Sequence, residues 1–196
     1  MKTLVSVLQD QFTPDWRVPH VTAISCDFLR AHGIRALVLD LDNTLVPWRS
    51  TEIHAEIRSW IERLRAAGIG LCIVSNTRRM RRIHAIGSEL RVVVVPLAGK
   101  PRRRGFRRAL ALLGVPPSEA AVVGDQLITD VWGGNRTGLR TIRVEPLSEV
   151  EFIATRLFDR NVERLIDRWV LREPHAARQA GDAALCGVEE PVSSLR

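Results

Sequence analysis

The chain has almost no lysine. Of its 29 basic residues only Lys2 and Lys100 are lysines, and the other 27 are arginines. Cysteine is sparse as well. Cys26, Cys72 and Cys186 are scattered, odd in number and form no CxxC pair. That argues against a disulfide framework or a thiolate zinc site and suits a reduced, cytosolic compartment. Long apolar runs are missing too. The longest stretches, such as VVVVPLA at 92–98, have the length of a strand and fall far short of the roughly 20 residues of a membrane span. The apolar opening stops at Gln9 and Asp10, too early for a signal peptide. There is no internal repeat and no long low-complexity segment. What remains is a chain of 196 residues, 45% of them hydrophobic, enough for one domain with a sizeable core.

The formal charge of +7 is concentrated. Arg78, Arg79, Arg81 and Arg82 form one acid-free cluster. Lys100, Arg102, Arg103, Arg104, Arg107 and Arg108 form a second. Without those ten, 19 basic residues face 22 acidic ones. The clusters are either solvated helix starts or an anion-attracting patch.

Apolar runs alternate with amphipathic stretches. RALVLDL (35–41), IGLCIVSN (69–76), RVVVVP (91–96), AAVVGD (120–125) and LRTIRVEP (139–146) read as buried strands. SCDFLRAHGI (25–34) reads as a short helix closed by Gly33. The span 50–68 reads as an amphipathic helix capped at Ser50 or Thr51, with others over 78–90 and 102–114, and a short one starting in QLITDVWGGNRTG (126–138). Such alternation implies right-handed βαβ units: a three-layer, doubly wound α/β domain around a parallel sheet. Residues 1–34 are expected to be an N-terminal extension on or near this core, 35–148 the core, 149–173 an amphipathic helix and 174–196 a loose tail.

The polar residues gather at strand ends. Asp40 ends the first strand with Asp42 just beyond, Ser75 and Asn76 end the second, Lys100 follows the third, and Gly124 and Asp125 end the fourth. Open α/β sheets bind ligands there, where strand order reverses. With the first strand central and the fourth beside it, Asp40, Asp42 and Asp125 converge. Carboxylates that close disfavour each other's ionisation, and a hard cation such as Mg²⁺ offsets the cost. Lys100 stands out because an arginine-rich chain kept one internal lysine at such a position. Its compact ammonium suits a single phosphoryl oxygen or a carboxylate.

DLDNT, SN, the downstream lysine and GDQLITD, in that order and each after an apolar run, resemble the four motifs of the haloacid-dehalogenase (HAD) superfamily phosphatases. LVLDLDNTLVPW, GKP followed by Phe106, and GDQLITDVWGGNRTG are similar to the YqeG-type branch of subfamily IIIA, which is related to a mitochondrial phosphatidylglycerophosphate phosphatase. The resemblance implies a HAD-like Rossmannoid fold and an Mg²⁺-dependent phosphomonoester hydrolase. Asp40 would be the nucleophile that forms an aspartyl-phosphate, and Asp42 the acid and then the base. Asp42 favours phosphoryl transfer over carbon–halogen cleavage, which needs no such acid. Ser75, Asn76 and Lys100 would bind the phosphoryl group. The metal would be held by Asp40, the Asp42 carbonyl and Asp125, with Asp130 a ligand, an orienter or simply the acid at a helix start. Asn43 is expected to stabilise its loop, Ser75 and Thr44 to cap turns unless they act on substrate, and Asn135 and Arg136 to close a loop or serve a partner.

Many members of this superfamily insert a cap domain. Here 32 residues separate Asp42 from Ser75 and 24 separate Ser75 from Lys100, room for one helix and one strand each. The expected site is open. That suits a bulky substrate, with a membrane-presented phosphate such as phosphatidylglycerophosphate first and a soluble nucleotide, sugar phosphate or phosphoprotein as the alternative. The two basic clusters are expected to ring it, docking a cytoplasmic protein on the anionic inner face of a membrane. Nucleic acid is a weaker reading, through a non-enzymatic RNA or ribosome adaptor.

Overall fold

A computed structural model describes residues 10–147. The expected helix 149–173 and tail 174–196 lie outside the described residues.

The centre of the sheet is β2 (Ala36–Leu39), four residues buried on both faces. It pairs in parallel with β3 (Gly70–Val74) on one side and β5 (Ala120–Gly124) on the other. β4 (Val93–Val95) lies outside β3, and β6 (Arg140–Val144) outside β5. A sixth strand, β1 (Trp16–Val18), closes the far edge against β6. The order is β1-β6-β5-β2-β3-β4, all parallel. The chain winds outward from β2 in one direction and resumes on its other side at β5, so the switch point lies between those two strands.

Alternate residues of β2 feed two layers. Leu37 and Leu39 face a cluster that holds α1 (Cys26–Ala31), α2 (Ala55–Ala66) and α3 (Met80–Leu90), including Phe28, Trp60 and Ile83. Ala36 and Val38 face the smaller cluster under α4 (Arg103–Leu113), with Phe106, Ala109 and Leu110. A π-helical turn, Leu127–Trp132, runs into the short α5 (Gly133–Thr137). Trp60 is the largest fully buried side chain, and its indole N–H donates to the Ile24 carbonyl at 2.8 Å. This satisfies the one polar group that so large a ring brings into a core.

The helix starts differ from the sequence expectation. α2 begins at Ala55, not near Ser50, whose hydroxyl instead accepts from the Glu52 N–H in a turn. Buried Ile53 holds the intervening chain extended against the core. α3 begins at Met80 rather than 78, because the Ser75 and Thr77 hydroxyls accept from the N–H groups of Thr77 and Arg79 and hold two successive turns before the helix. Gly114 closes α4 at φ +66, a left-handed conformation suited to glycine.

β1 was not expected at all. It lies within the segment read as an extension, and Asp15 fastens it. The Asp15 carboxylate accepts from the Thr141 N–H at 2.9 Å, and the Asp15 N–H donates to the Thr141 hydroxyl at 3.0 Å. One turn away the Asn135 amide donates to the carbonyls of Gln11 and Thr13. This gives Asn135 a tethering role for the N-terminal segment.

Candidate active site

Asp40 is the first residue after β2, and its N–H still donates to Val123 in the ladder, at 2.9 Å. Its side chain therefore leaves the sheet at the C-terminal edge beside the switch point. Lys100 arrives there from the loop after β4. Its ammonium bonds the Asp40 carboxylate and, at 2.6 Å, that of Asp130. The lysine side chain is only 4% exposed. Asn76 holds the lysine backbone from both sides, accepting from its N–H at 2.8 Å and donating to its carbonyl at 3.0 Å. Asn76, expected to bind substrate, thus has its amide engaged in placing Lys100.

Asp125 follows β5 directly, and Asp130 projects back from the π-helical turn. The approach of Asp130 depends on Gly124, where a Cβ atom would overlap the Asp130 carboxylate. The Gln126 N–H and the Lys100 ammonium share that carboxylate between them. Asp40, Asp125 and Asp130 each offer an oxygen, all within 4.8 Å of one another.

The third carboxylate of this cluster is Asp130, where the spacing of the first motif pointed to Asp42. The strand ends at Leu39 and the chain turns through Asn43 at φ 61, so Asp42 no longer shares a strand with Asp40. Its carboxylate turns to Arg82, with Nη2 2.8 Å from Oδ1 and Nη1 3.2 Å from Oδ2. The same guanidinium is fixed through Nε to the Ser50 carbonyl at 2.7 Å. Of the two Nη atoms, only Nη1 donates a hydrogen bond, and the Arg49 N–H adds a second donor to Asp42 at 3.1 Å. Asp42 still lines the same cleft as Asp40. Asn43 does what was expected of it, its side-chain oxygen accepting from the Trp48 N–H. Thr44 does more than cap a turn, since its buried hydroxyl reaches Asp125 at 3.4 Å.

The cleft has a volume of about 340 Å³ and takes in Asp40, Asp42, Ser75 and Lys100. Burial pushes the Asp40 carboxyl up to about 7 against the opposing pull of Lys100. Burial, with repulsion from Asp40 and Asp130, pushes Asp125 up to about 8. Lys100 would be lowered by burial, yet Asp130 and Asp40 outweigh that and hold it above its ordinary value. One ammonium cannot neutralise three buried carboxylates. A divalent cation that takes oxygen ligands fits both the charge and the donor set.

The basic clusters divide once their places are known. Lys100 and Arg82 are buried ion-pair partners and belong to no collar. Arg78 and Arg79 line the cleft itself. Arg108 lies instead in a groove along the β4 edge with His84 and Leu112. The collar of ten charges is therefore smaller than the sequence implied. The sequence also gave no sign of Gln126, Thr129 and Trp48 as cleft residues, or of Arg82 as the anchor of Asp42.

Comparison with known proteins follows the same lines. The family model described as "Mitochondrial PGP phosphatase" matches residues 2–91, and the one described as HAD-hydrolase-like matches residues 97–146. "Probable phosphatase YqeG" of Bacillus subtilis (strain 168) is 35% identical over 169 residues, covering 86% of this chain and 97% of that protein. Phosphatidylglycerophosphate phosphatase 1 of Arabidopsis thaliana is 29% identical over 78% of this chain. The chain spans 48% of that plant protein's length. Among solved structures, a protein from Listeria monocytogenes serotype 4b aligns at a TM-score of 0.49 and 18% identity, over 62% of this chain and 87% of that one. By its match to nearly the whole length of the Bacillus protein, the chain belongs to the HAD-superfamily phosphatases, hydrolases of phosphoric monoesters, in the YqeG-type branch.

Proposed function

We propose that the protein is an Mg²⁺-dependent phosphatase that works through an aspartyl-phosphate, and that its substrate is a phosphomonoester presented at a membrane, with phosphatidylglycerophosphate first among them. The observation that carries the chemistry is Asp40: a buried strand-end carboxylate, paired to a buried lysine, with two further carboxylates within 4.8 Å.

Asp40 attacks phosphorus along the line of the leaving oxygen, and the P–O bond to that oxygen breaks. Asp42 gives the leaving oxygen its proton, then takes one from the water that attacks the aspartyl-phosphate. Arg82 orients Asp42 through its Nη1 donation to Oδ2, which leaves the other oxygen to carry the proton. The Ser75 hydroxyl, buried at the end of β3, donates to a phosphoryl oxygen. Lys100 stabilises the charge that builds on the transferring group, a contribution of roughly 3–4 kcal/mol for a preorganised donor. Asp40, Asp125 and Asp130 would hold the metal together with the Asp42 carbonyl. When bound, the metal supplies positive charge between two anions that must meet.

The membrane reading rests on the open rim. Between Asp42 and Ser75 the described chain has only α2 and β3, and between Ser75 and Lys100 only α3 and β4, so neither interval inserts a cap domain. Arg102, Arg103 and Arg104 are exposed where α4 begins. Met80 and Leu97 are exposed at the same end of the sheet. The relatives named as phosphatidylglycerophosphate phosphatases supply the particular lipid. No helix among the described residues is long and apolar enough to cross a membrane, so docking would be peripheral. The test is phosphate release from a panel containing phosphatidylglycerophosphate in mixed micelles, alongside co-sedimentation with anionic and neutral liposomes at low and high salt. The lipid should be turned over fastest, and anionic liposomes should be preferred at low salt. Faster turnover of a soluble nucleotide or sugar phosphate, with no liposome preference, would overturn the membrane reading and leave a phosphatase of soluble substrates.

A further inference from the structure

Asp130 stands on a turn that has two registers open to it. It belongs to the π-helical turn Leu127–Trp132, where the Gln126 carbonyl accepts both the Asp130 N–H at 3.1 Å and the Val131 N–H at 3.3 Å. The first bond is that of an α-helix and the second that of a π-helix. Settling into the α register would rotate the residues before the turn by about 100° against those after it, the angle of one helical residue. Asp130 would then leave the Lys100 ammonium and the Gln126 N–H that share its carboxylate. π-helical turns are rare and occur mostly at functional sites, so the support of this one matters.

The N-terminal segment supplies it. Phe12 stacks on Trp132, the ring centres 5.3 Å apart and the planes 19° from parallel. Three residues on, the Asn135 amide donates to the Gln11 and Thr13 carbonyls at 2.8 and 3.1 Å. Residues three apart share one face of a helix, so the segment grips a single face at two heights. Between the two grips, Gly133 packs against the loop that carries Lys100. A Cβ atom there would lie 2.7 Å from the Phe106 ring and 3.2 Å from Pro101, the neighbour of Lys100. Rotation by one residue would break both grips and this contact together.

We infer that residues 10–13 lock the register of the π-helical turn, and that Phe12 and Asn135 are positioning residues for Asp130 and, through it, for the divalent cation. None of residues 10–13 lines the cleft, so they act on the site only through the turn. The link to the cation rests on the reading of the acidic cluster as its site. The lock itself is visible at Asp130 with or without an ion.

Two measurements test it. Calorimetry gives the Mg²⁺ dissociation constant. Amide exchange in the metal-free protein follows the Gln126 N–H, which donates to the Asp130 carboxylate at 3.2 Å. Phe12→Ser and Asn135→Ala should each raise the dissociation constant about 3- to 10-fold, the range carried by a stacked aromatic pair or a hydrogen bond, and speed Gln126 exchange by a similar factor. kcat at saturating Mg²⁺ should fall less than the affinity. Phe12→Tyr keeps the stack and should stay within about twofold of wild type in both measurements. Arg140→Ser removes an exposed ion pair to Asp15 in the same N-terminal stretch and should change neither. A lower melting temperature in Phe12→Ser, with Mg²⁺ affinity and Gln126 exchange unchanged, would make the segment a structural strap and overturn the lock. Equal changes in Arg140→Ser would overturn it too, since general loosening would account for them. Faster exchange at unchanged affinity would overturn the link to the cation. Absence of Mg²⁺ binding in the wild type would sink the cation reading alone, and Gln126 exchange would still decide the lock.

Discussion

Arg82 and Asp42 form an ion pair in the cleft: Nη1 donates to Oδ2 at 3.2 Å, Nη2 lies 2.8 Å from Oδ1, and the arginine is itself pinned to Ser50. The consequence for catalysis depends on the leaving group. A poor one, such as an alkoxide, needs its proton in the transition state. A good one, such as p-nitrophenolate, does not. Arg82→Met should therefore lower kcat/KM for an alkyl phosphate on the order of 100-fold and for p-nitrophenyl phosphate only a few-fold. Asp42→Asn should show the same selectivity in stronger form. Equal losses on both substrates in Arg82→Met, with the selectivity present in Asp42→Asn, would reduce Arg82 to a structural part.

Asp40→Asn should abolish hydrolysis of both substrates, because an amide is not a nucleophile of this kind. The fold should survive. Burial alone already disfavours the charge on Asp40, so exchanging it for a neutral isostere relieves repulsion from Asp130. The metal-free variant should melt no lower than metal-free wild type. Residual turnover near the wild-type rate would remove Asp40 from the chemistry.

Lys100→Arg is not a conservative change here. The ammonium sits between Asp40 and Asp130 with 4% of its side chain exposed, and a guanidinium fork is too broad for that gap. The expected loss in kcat is on the order of 100-fold or more, the scale of one preorganised donor. Full activity in Lys100→Arg would mean that any cation at this position suffices.

The raised carboxyls make metal binding a proton-linked event. Without a cation, Asp40 titrates at about 7 and Asp125 at about 8 in the folded state, against about 4 when unfolded. A group raised on folding favours the folded state below its unfolded value and loses that contribution as pH rises through its folded one. The metal-free protein therefore loses stability from these two groups between about pH 4 and pH 8. Mg²⁺ binds the deprotonated forms and displaces their protons. Saturating Mg²⁺ should raise the melting temperature more at pH 8.5 than at pH 6, and calorimetry near pH 6.5 should register proton release. An increment independent of pH, without proton release, would place the cation elsewhere.

Gly124→Ala tests the geometry of the acidic cluster without touching any acid. The added methyl group would occupy the space of the Asp130 carboxylate and displace it from Lys100. Loss of one supporting contact at a metal site costs about 10- to 100-fold in affinity or activity. The Mg²⁺ concentration for half-maximal activity should rise by that order while unfolding stays cooperative. An unchanged Mg²⁺ requirement would mean that Asp130 takes no part in holding the ion.

Asp40 and Asp125 were legible because each ends an apolar run, so the strand that buries them also announces them. Lys100 was legible for a compositional reason, as the one internal lysine among 27 arginines. Arg82 was not. It is one of four arginines in five residues, and which of them turns inward depends on where the helix starts. The start at Met80 places Arg82 with Ile83 and Ile86 on the buried face, and two hydroxyl-held turns set that start. Asp42 misled because period-two reasoning applies only while the strand lasts, and β2 ends at Leu39. β1 escaped notice because three residues between prolines carry too little pattern. Its place is decided by Asp15 meeting Thr141, 126 positions away.

That last pairing has a kinetic consequence. Strands β2 to β5 each find a neighbour that lies near in sequence or is already assembled, so the centre of the sheet can build outward in chain order. Among the described residues β1 pairs with β6 alone, Trp16 aligning with Ile142. Of the described strands, the first that a ribosome makes waits for the last. The closure entropy of so long a loop is offset only by contacts that form at that moment, among them the Asp15 clasp and the Asn135 tether. High-contact-order steps of this kind set the pace of folding. Asp15→Ala should accordingly slow the final folding phase without altering the rate at which the central strands gain protection from hydrogen exchange.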